Sequence, residues 1–172
     1  MDALFNFSRA CLFLTFAAFA VGKMVGFKSF RSHVCNTVSA APGHASLIAG
    51  VVIIIELLAC GCLLRSSTAA AGFGILAGTL VVFTAYLGRL LARGRAESCG
   101  CGGDSDSPVT VWHITRNVTL FCLSMVGLLA SFGSHATSFD AQDWMRIPLT
   151  LLVAGPAYFL DRLIVFFGRE LV

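Results

Sequence analysis

Apolar residues fall in five long runs separated by short polar stretches, at about 7–27, 45–64, 69–91, 113–132 and 147–167. Each run has the roughly 20 residues a helix needs to cross the hydrocarbon of a bilayer. None has the alternating polarity of the shorter strands of a membrane barrel. The pattern therefore predicts an all-α fold: a polytopic membrane helix bundle of four to five transmembrane helices, forming one domain over 1–172. The fifth run departs most from the pattern, because Pro156, Asp161 and Arg162 lie inside it. The longer connections are a first loop at 28–44, a Gly-, Asp- and Ser-rich loop at 93–111 closed by Pro108, and a smaller one at 133–146. Ala18-Phe19-Ala20 has the form of a signal-peptide cleavage site. Asp2, the late Arg9 and the apolar sequence continuing past this point argue that the first run is retained.

Composition supports the membrane reading. Of 172 residues, 57% are hydrophobic and only 12% are charged. Soluble domains carry about 25% charged residues, so soluble enzyme classes are excluded. The net charge of +3 is weak, and the basic residues lie scattered at segment ends, which excludes a nucleic-acid-binding patch. With five spans, one face collects Lys23, Lys28, Arg31, Arg89, Arg93, Arg95, Arg116 and Arg169. The other collects Arg9, Arg65 and Arg146. The positive-inside rule then puts the loops at 28–44 and 93–111 in the cytoplasm and the N-terminus outside.

Seven cysteines make redox or metal chemistry worth testing, and an odd number cannot all pair within one chain. Cys99-Gly100-Cys101-Gly102-Gly103 is the sharpest local feature. A disulfide between such close positions is strained and easily reduced. Arg93 and Arg95, with Arg116 folding near, would favour the thiolate. A thiolate site for Cu(I) or Zn and a plain tight turn are the rival readings. Cys35 shares that face and is a candidate exchange partner. Cys11, Cys60, Cys62 and Cys122 read first as small packing residues. The alternative for Cys60 and Cys62 is a relay of thiols across the membrane.

Glu56 lies midway along the second run, and ionisable residues at such depth usually face a partner or a cavity. It shares a helix face with Cys60, so proton handling beside a thiol competes with a structural hydrogen bond. Lys23, Tyr86, Arg89, His113, Arg116, Asn117 and Asp161 all fall near the face of the two longer loops. Tyr86 with Arg89, and His113 with Arg116 and Asn117, have the spacing of one helix face. They could form a polar pocket beneath the Cys99/Cys101 loop; the bland alternative is snorkelling at the interface. Gly22-x-x-x-Gly26 and Gly74-x-x-x-Gly78 match the pattern for close helix approach. The four histidines lack metal-ligand spacing, and no haem-attachment or phosphate-binding motif is present. No cofactor is called for, with a quinone left as an open alternative.

The chain resembles the MauE family of methylamine-utilisation integral membrane proteins, which is related to the DoxX family. The resemblance covers about 5–132. It rests on Gly22-Lys23-Met24, the mid-helix Glu56, the stretch from Arg93-Gly94-Arg95 to Cys99-Gly100-Cys101, and Trp112 followed by Arg116-Asn117. Gly102 stands where the family pattern has Phe. The resemblance implies a DoxX-like bundle and a role in thiol–disulfide traffic at the bacterial inner membrane. The implied client is a periplasmic enzyme such as methylamine dehydrogenase, matured alongside a thioredoxin-like partner. Cys99 and Cys101 would cycle between dithiol and disulfide, with Cys35 exchanging and Glu56 supporting. Whether the chain is itself an oxidoreductase or an electron relay stays open. The charge rule sets the cysteine pair in the cytoplasm while the implied client is periplasmic, and a relay would reconcile the two. The alternatives are a Cu(I)- or Zn-handling membrane protein and a non-catalytic scaffold of an assembly complex.

Overall fold

The computed structural model describes residues 2–38, 42–92 and 111–133. All elements among them are helices: α1 (Asp2–Val25), α2 (Phe27–Val38), α3 (Pro42–Leu64), α4 (Ser66–Ala92) and α5 (Val111–Gly133). Four are long and apolar enough to cross a membrane: α1, α3 over Gly43–Leu64, α4, and α5 over His113–Gly133. The chain is a multi-pass membrane helix bundle. The expected fifth run at 147–167 and the loops at 93–110 and 134–146 lie outside the described residues.

The four spans close into a ring in which α3 and α5 each pack between α1 and α4. Arg65 alone separates α3 from α4. So short a link obliges them to run antiparallel. Lys23 meets Glu56 of α3, while Arg9, two turns into α1, meets Ser66, the first residue of α4 just past the end of α3, so α1 runs antiparallel to α3.

The stretch at 28–44, expected as a loop, is mostly helix α2. Helical hydrogen bonding runs through the junction, from the Gly26 amide to the Gly22 carbonyl (2.9 Å) and from the Phe30 amide to the Gly26 carbonyl (3.0 Å). Phe27, Phe30 and Val34 recur at helical spacing and pack on Ala45, Ala49 and Ile53 of α3. Lys28, Ser29, Arg31 and Ser32 stay exposed. An amphipathic helix of 12 residues is too short and too polar to register as an apolar run. It covers the first half of α3, and α1 covers the second.

Among the described residues three apolar clusters hold the bundle. The largest joins Phe5, Leu12 and Phe16 to Leu63, Phe73 and Leu76. The second is the α2–α3 seam. The third sets Leu87 and Leu90 against Tyr86 and Ile114. Outside them α3 exposes Leu47, Val51, Ile54 and Leu58, one turn apart, as a lipid-facing helix does.

In lipid, helices associate through close packing and interhelical hydrogen bonds more than through water exclusion. The α4–α5 contact uses both. The Ser124 hydroxyl donates to the Phe73 carbonyl at 2.7 Å. A Cβ added to Gly127 would stand 2.4 Å from the Phe73 ring. Gly74 and Gly78, expected at a close approach, meet nothing within 4 Å among the described residues. Gly127→Ala is expected to destabilise the bundle by about 1–3 kcal/mol, the usual cost of overpacking. Thermal melts in detergent should show this loss, with partial recovery when Phe73→Leu is added.

Candidate functional site

The polar interior of the bundle is built around one ion pair. Lys23, near the end of α1, meets Glu56 of α3 through its Oε1, and both residues are 1% exposed. Glu56 lies eight residues before Leu64, about 12 Å along the helix, and so near the middle of the α3 span. The sequence set Lys23 near a membrane face. It lies deep instead, because α1 passes into α2 through Gly26 and α2 carries the chain onward along α3. Pairing answers the cost of each charge: an ionisable side chain at mid-membrane costs about 2.5–3.5 kcal/mol on insertion scales.

The ammonium has further company. The rings of Phe19, Phe30 and Phe83 lie 5.7, 5.8 and 5.6 Å from Nζ, one each from α1, α2 and α4. A cation over a ring face is attracted by the ring quadrupole, most strongly when water is excluded. Phe19 also receives Arg116 of α5, whose guanidinium carbon lies 5.0 Å from the ring centroid. All five helices therefore contribute to one cluster around Lys23.

Arg116, Asn117 and His113 are buried together on α5, 5%, 3% and 4% exposed. Their helical spacing, read from the sequence as one face, is an inward face. Glu56 Oε2 and Asn117 Nδ2 are buried here with no hydrogen-bond partner among the described residues. Tyr86 is half-buried beside the third apolar cluster, whereas Arg89 of α4 is exposed and stands apart from the buried group. Asp161, Cys99 and Cys101 lie outside the described residues.

The described cysteines do not join the cluster as a metal centre: no group of three or more His, Cys, Asp or Glu among the described residues could hold a metal ion. Cys60 is buried one turn beyond Glu56, and its thiol donates to the Phe13 carbonyl at 3.9 Å. Cys11 is buried at 2% exposure. Cys35 is half-buried on the α2–α3 seam, and Cys122 faces outward.

Sequence reasoning passed over a third buried cation. Arg9, counted only as a loop charge, is fully buried in α1. It donates to the Ser66 hydroxyl at 3.0 Å and lies 5.5 Å from the Phe5 ring centroid. Its signal was an arginine inside the first apolar run. The aromatic cage had no sequence signal, since three phenylalanines among fifteen meet only through the fold.

Removing one member of a buried pair strands the other, at about 3–5 kcal/mol. Lys23→Met and Glu56→Leu are each expected to destabilise strongly, and the double variant to lose less than the sum. A double-mutant cycle read by thermal unfolding in detergent checks this. An additive result would show that the two side chains do not interact.

One protein-family model matches the chain, described as methylamine utilisation protein MauE, over residues 1–130. No curated protein and no solved structure matches.

Proposed function

The chain belongs to the MauE family, and from that premise we propose that it supports thiol–disulfide traffic at the bacterial inner membrane. In this reading Cys99 and Cys101 are the exchanging pair. Their disulfide accepts two electrons from a periplasmic client dithiol, which becomes a disulfide. A thioredoxin-like partner then takes those electrons through its own disulfide and restores the pair. Atoms balance at each exchange, because one disulfide is consumed for each one formed. Methylamine dehydrogenase is the client class that the family description suggests.

One arrangement supports this reading. The chain leaves α4 at Ala92 and returns through α5 at Val111, and the first turns of α5 bury His113, Arg116 and Asn117. The Cys99/Cys101 stretch itself lies outside the described residues, but in sequence it leads into α5 within two turns of a buried guanidinium and an amide donor. A cation beside a cysteine favours thiolate over thiol. Lys23 and Glu56 act as positioning residues in this scheme, since they fix the helices on which that face depends. Cys11 and Cys60, packed in the bundle, suit structural roles better than exchange.

Cys99→Ser with Cys101→Ser is expected to leave the client reduced in cells, read by maleimide–polyethylene glycol gel shifts of methylamine dehydrogenase. Replacing Cys11, Cys60, Cys62 and Cys122 together should leave client oxidation intact. Client oxidation that survives the Cys99/Cys101 double variant sinks the reading. Labelling intact cells with a membrane-impermeant maleimide, in a background holding only Cys99 and Cys101, assigns the side. Reaction only after reduction means an oxidised pair facing outward and direct exchange with the client.

A further inference from the structure

We propose that Glu56 is a proton-binding site within the membrane, and that the three phenyl rings around Lys23 are what allow it to lose its charge. The proposal concerns the same cluster as the reading above. It does not require thiol exchange, so the two can fail separately.

Glu56 is almost fully buried, its Oε1 is taken by Lys23, and its Oε2 has no hydrogen-bond partner among the described residues. A carboxylate accepts at both oxygens, and a bare buried acceptor is costly. A proton is the smallest occupant that answers this. It converts Oε2 from a bare acceptor into a hydroxyl and cancels the charge.

In an ordinary buried pair that step is blocked, because neutralising the acid strands the cation. Here the paired ammonium already has three rings at 5.6 to 5.8 Å, on which it can close further once the carboxylate no longer draws it, so the rings favour the discharged state. The proton adds to Oε2, Lys23 retains its own protons, and the cluster gains one positive charge held against the ring faces. No electrons move, and release is the reverse.

The surrounding charges are few. Lys23 faces Glu56 from α1. From α5 come Arg116, reached through Phe19, and buried His113. On α3 itself the next titratable group is Cys60, one turn on. The elements α2 and α4 bring Phe30 and Phe83 to the ammonium, and the titratable groups near those rings in sequence, His33 and Tyr86, are half-buried.

The test is pH-difference infrared spectroscopy of the purified full chain in lipid, with glutamate selectively labelled with carbon-13. The sequence holds three glutamates, Glu56, Glu97 and Glu170. Glu97→Gln with Glu170→Gln removes the other two, both of which lie outside the described residues. On acidification a labelled protonated-carboxyl stretch is expected to appear in this background while helix content is retained. Phe30→Leu with Phe83→Leu weakens the hold on the ammonium, so Glu56 should be harder to neutralise. Its midpoint should move to lower pH by about one unit, tenfold in proton affinity. Phe83→Leu alone should move it less, in the same direction. Absence of the band at every pH that preserves the helices overturns the proposal, as does a midpoint unmoved in both ring variants.

Discussion

The arrangement of the bundle follows from the need to place a lysine and a glutamate at mid-membrane. Each charge there needs a compensating partner, and together they remain costly unless their geometry is good. The chain meets this by bringing every described helix to one point. Glu56 comes from α3, the rings from α1, α2 and α4, and Arg116 reaches Phe19 from α5. The junction at Gly26 belongs to the same solution. By carrying helical hydrogen bonding from α1 into α2, it keeps Lys23 below the surface and lets Phe30 close over it.

Specificity in such a bundle cannot come from apolar burial, since lipid is as good a solvent for leucine as the protein interior. It comes from contacts that only one packing satisfies. The Ser124 hydroxyl on the Phe73 carbonyl and the Phe73 ring against Gly127 fix the register of α4 on α5. The ion pair fixes α1 on α3. Toward the other end of α1, Arg9 donates to the hydroxyl of Ser66, the first residue of α4 just past the end of α3, and ties α1 down again. Two polar clasps about 14 residues apart along α1 leave little freedom to slide, since a shift by one turn, about 5.4 Å, would break both.

The membrane spans were legible because a bilayer demands long apolar runs, and 45–64 and 113–132 lie within α3 and α5 as folded. Helix α2 was not, because its apolar positions recur every three or four residues among Lys28, Arg31 and His33. That His113, Arg116 and Asn117 share one helix face was legible from spacing, but that the face is buried was not, since spacing does not say which way a face points. The bond between Lys23 and Glu56 was not. Both residues stood out separately, but 33 positions separate them and pairing is a property of the fold. Arg9 shows the converse error. A charge near the start of an apolar run reads as a boundary marker, yet here it marks the interior.

The thiols divide along the same physical line as the charges. Cys11 and Cys60 lie in the apolar packing of the bundle, and Cys60 has only a backbone carbonyl for its proton. A thiol so placed has no cation to stabilise its thiolate and is a poor nucleophile. Of the buried cations among the described residues, Lys23 and Arg116, with the Asn117 amide, lie instead toward the first turns of α5, and only Arg9 lies toward the other end. Any thiol chemistry of this chain gains most where a cysteine can reach that end of the bundle. Arg93, Arg95, Cys99 and Cys101 all belong to the stretch that joins α4 to α5 there. A transmembrane relay through Cys60 would need electrons to cross a region that offers a thiolate no support. Exchange confined to one end requires no such crossing, and it asks of the bundle only what the ion pair already supplies: helices that do not slide.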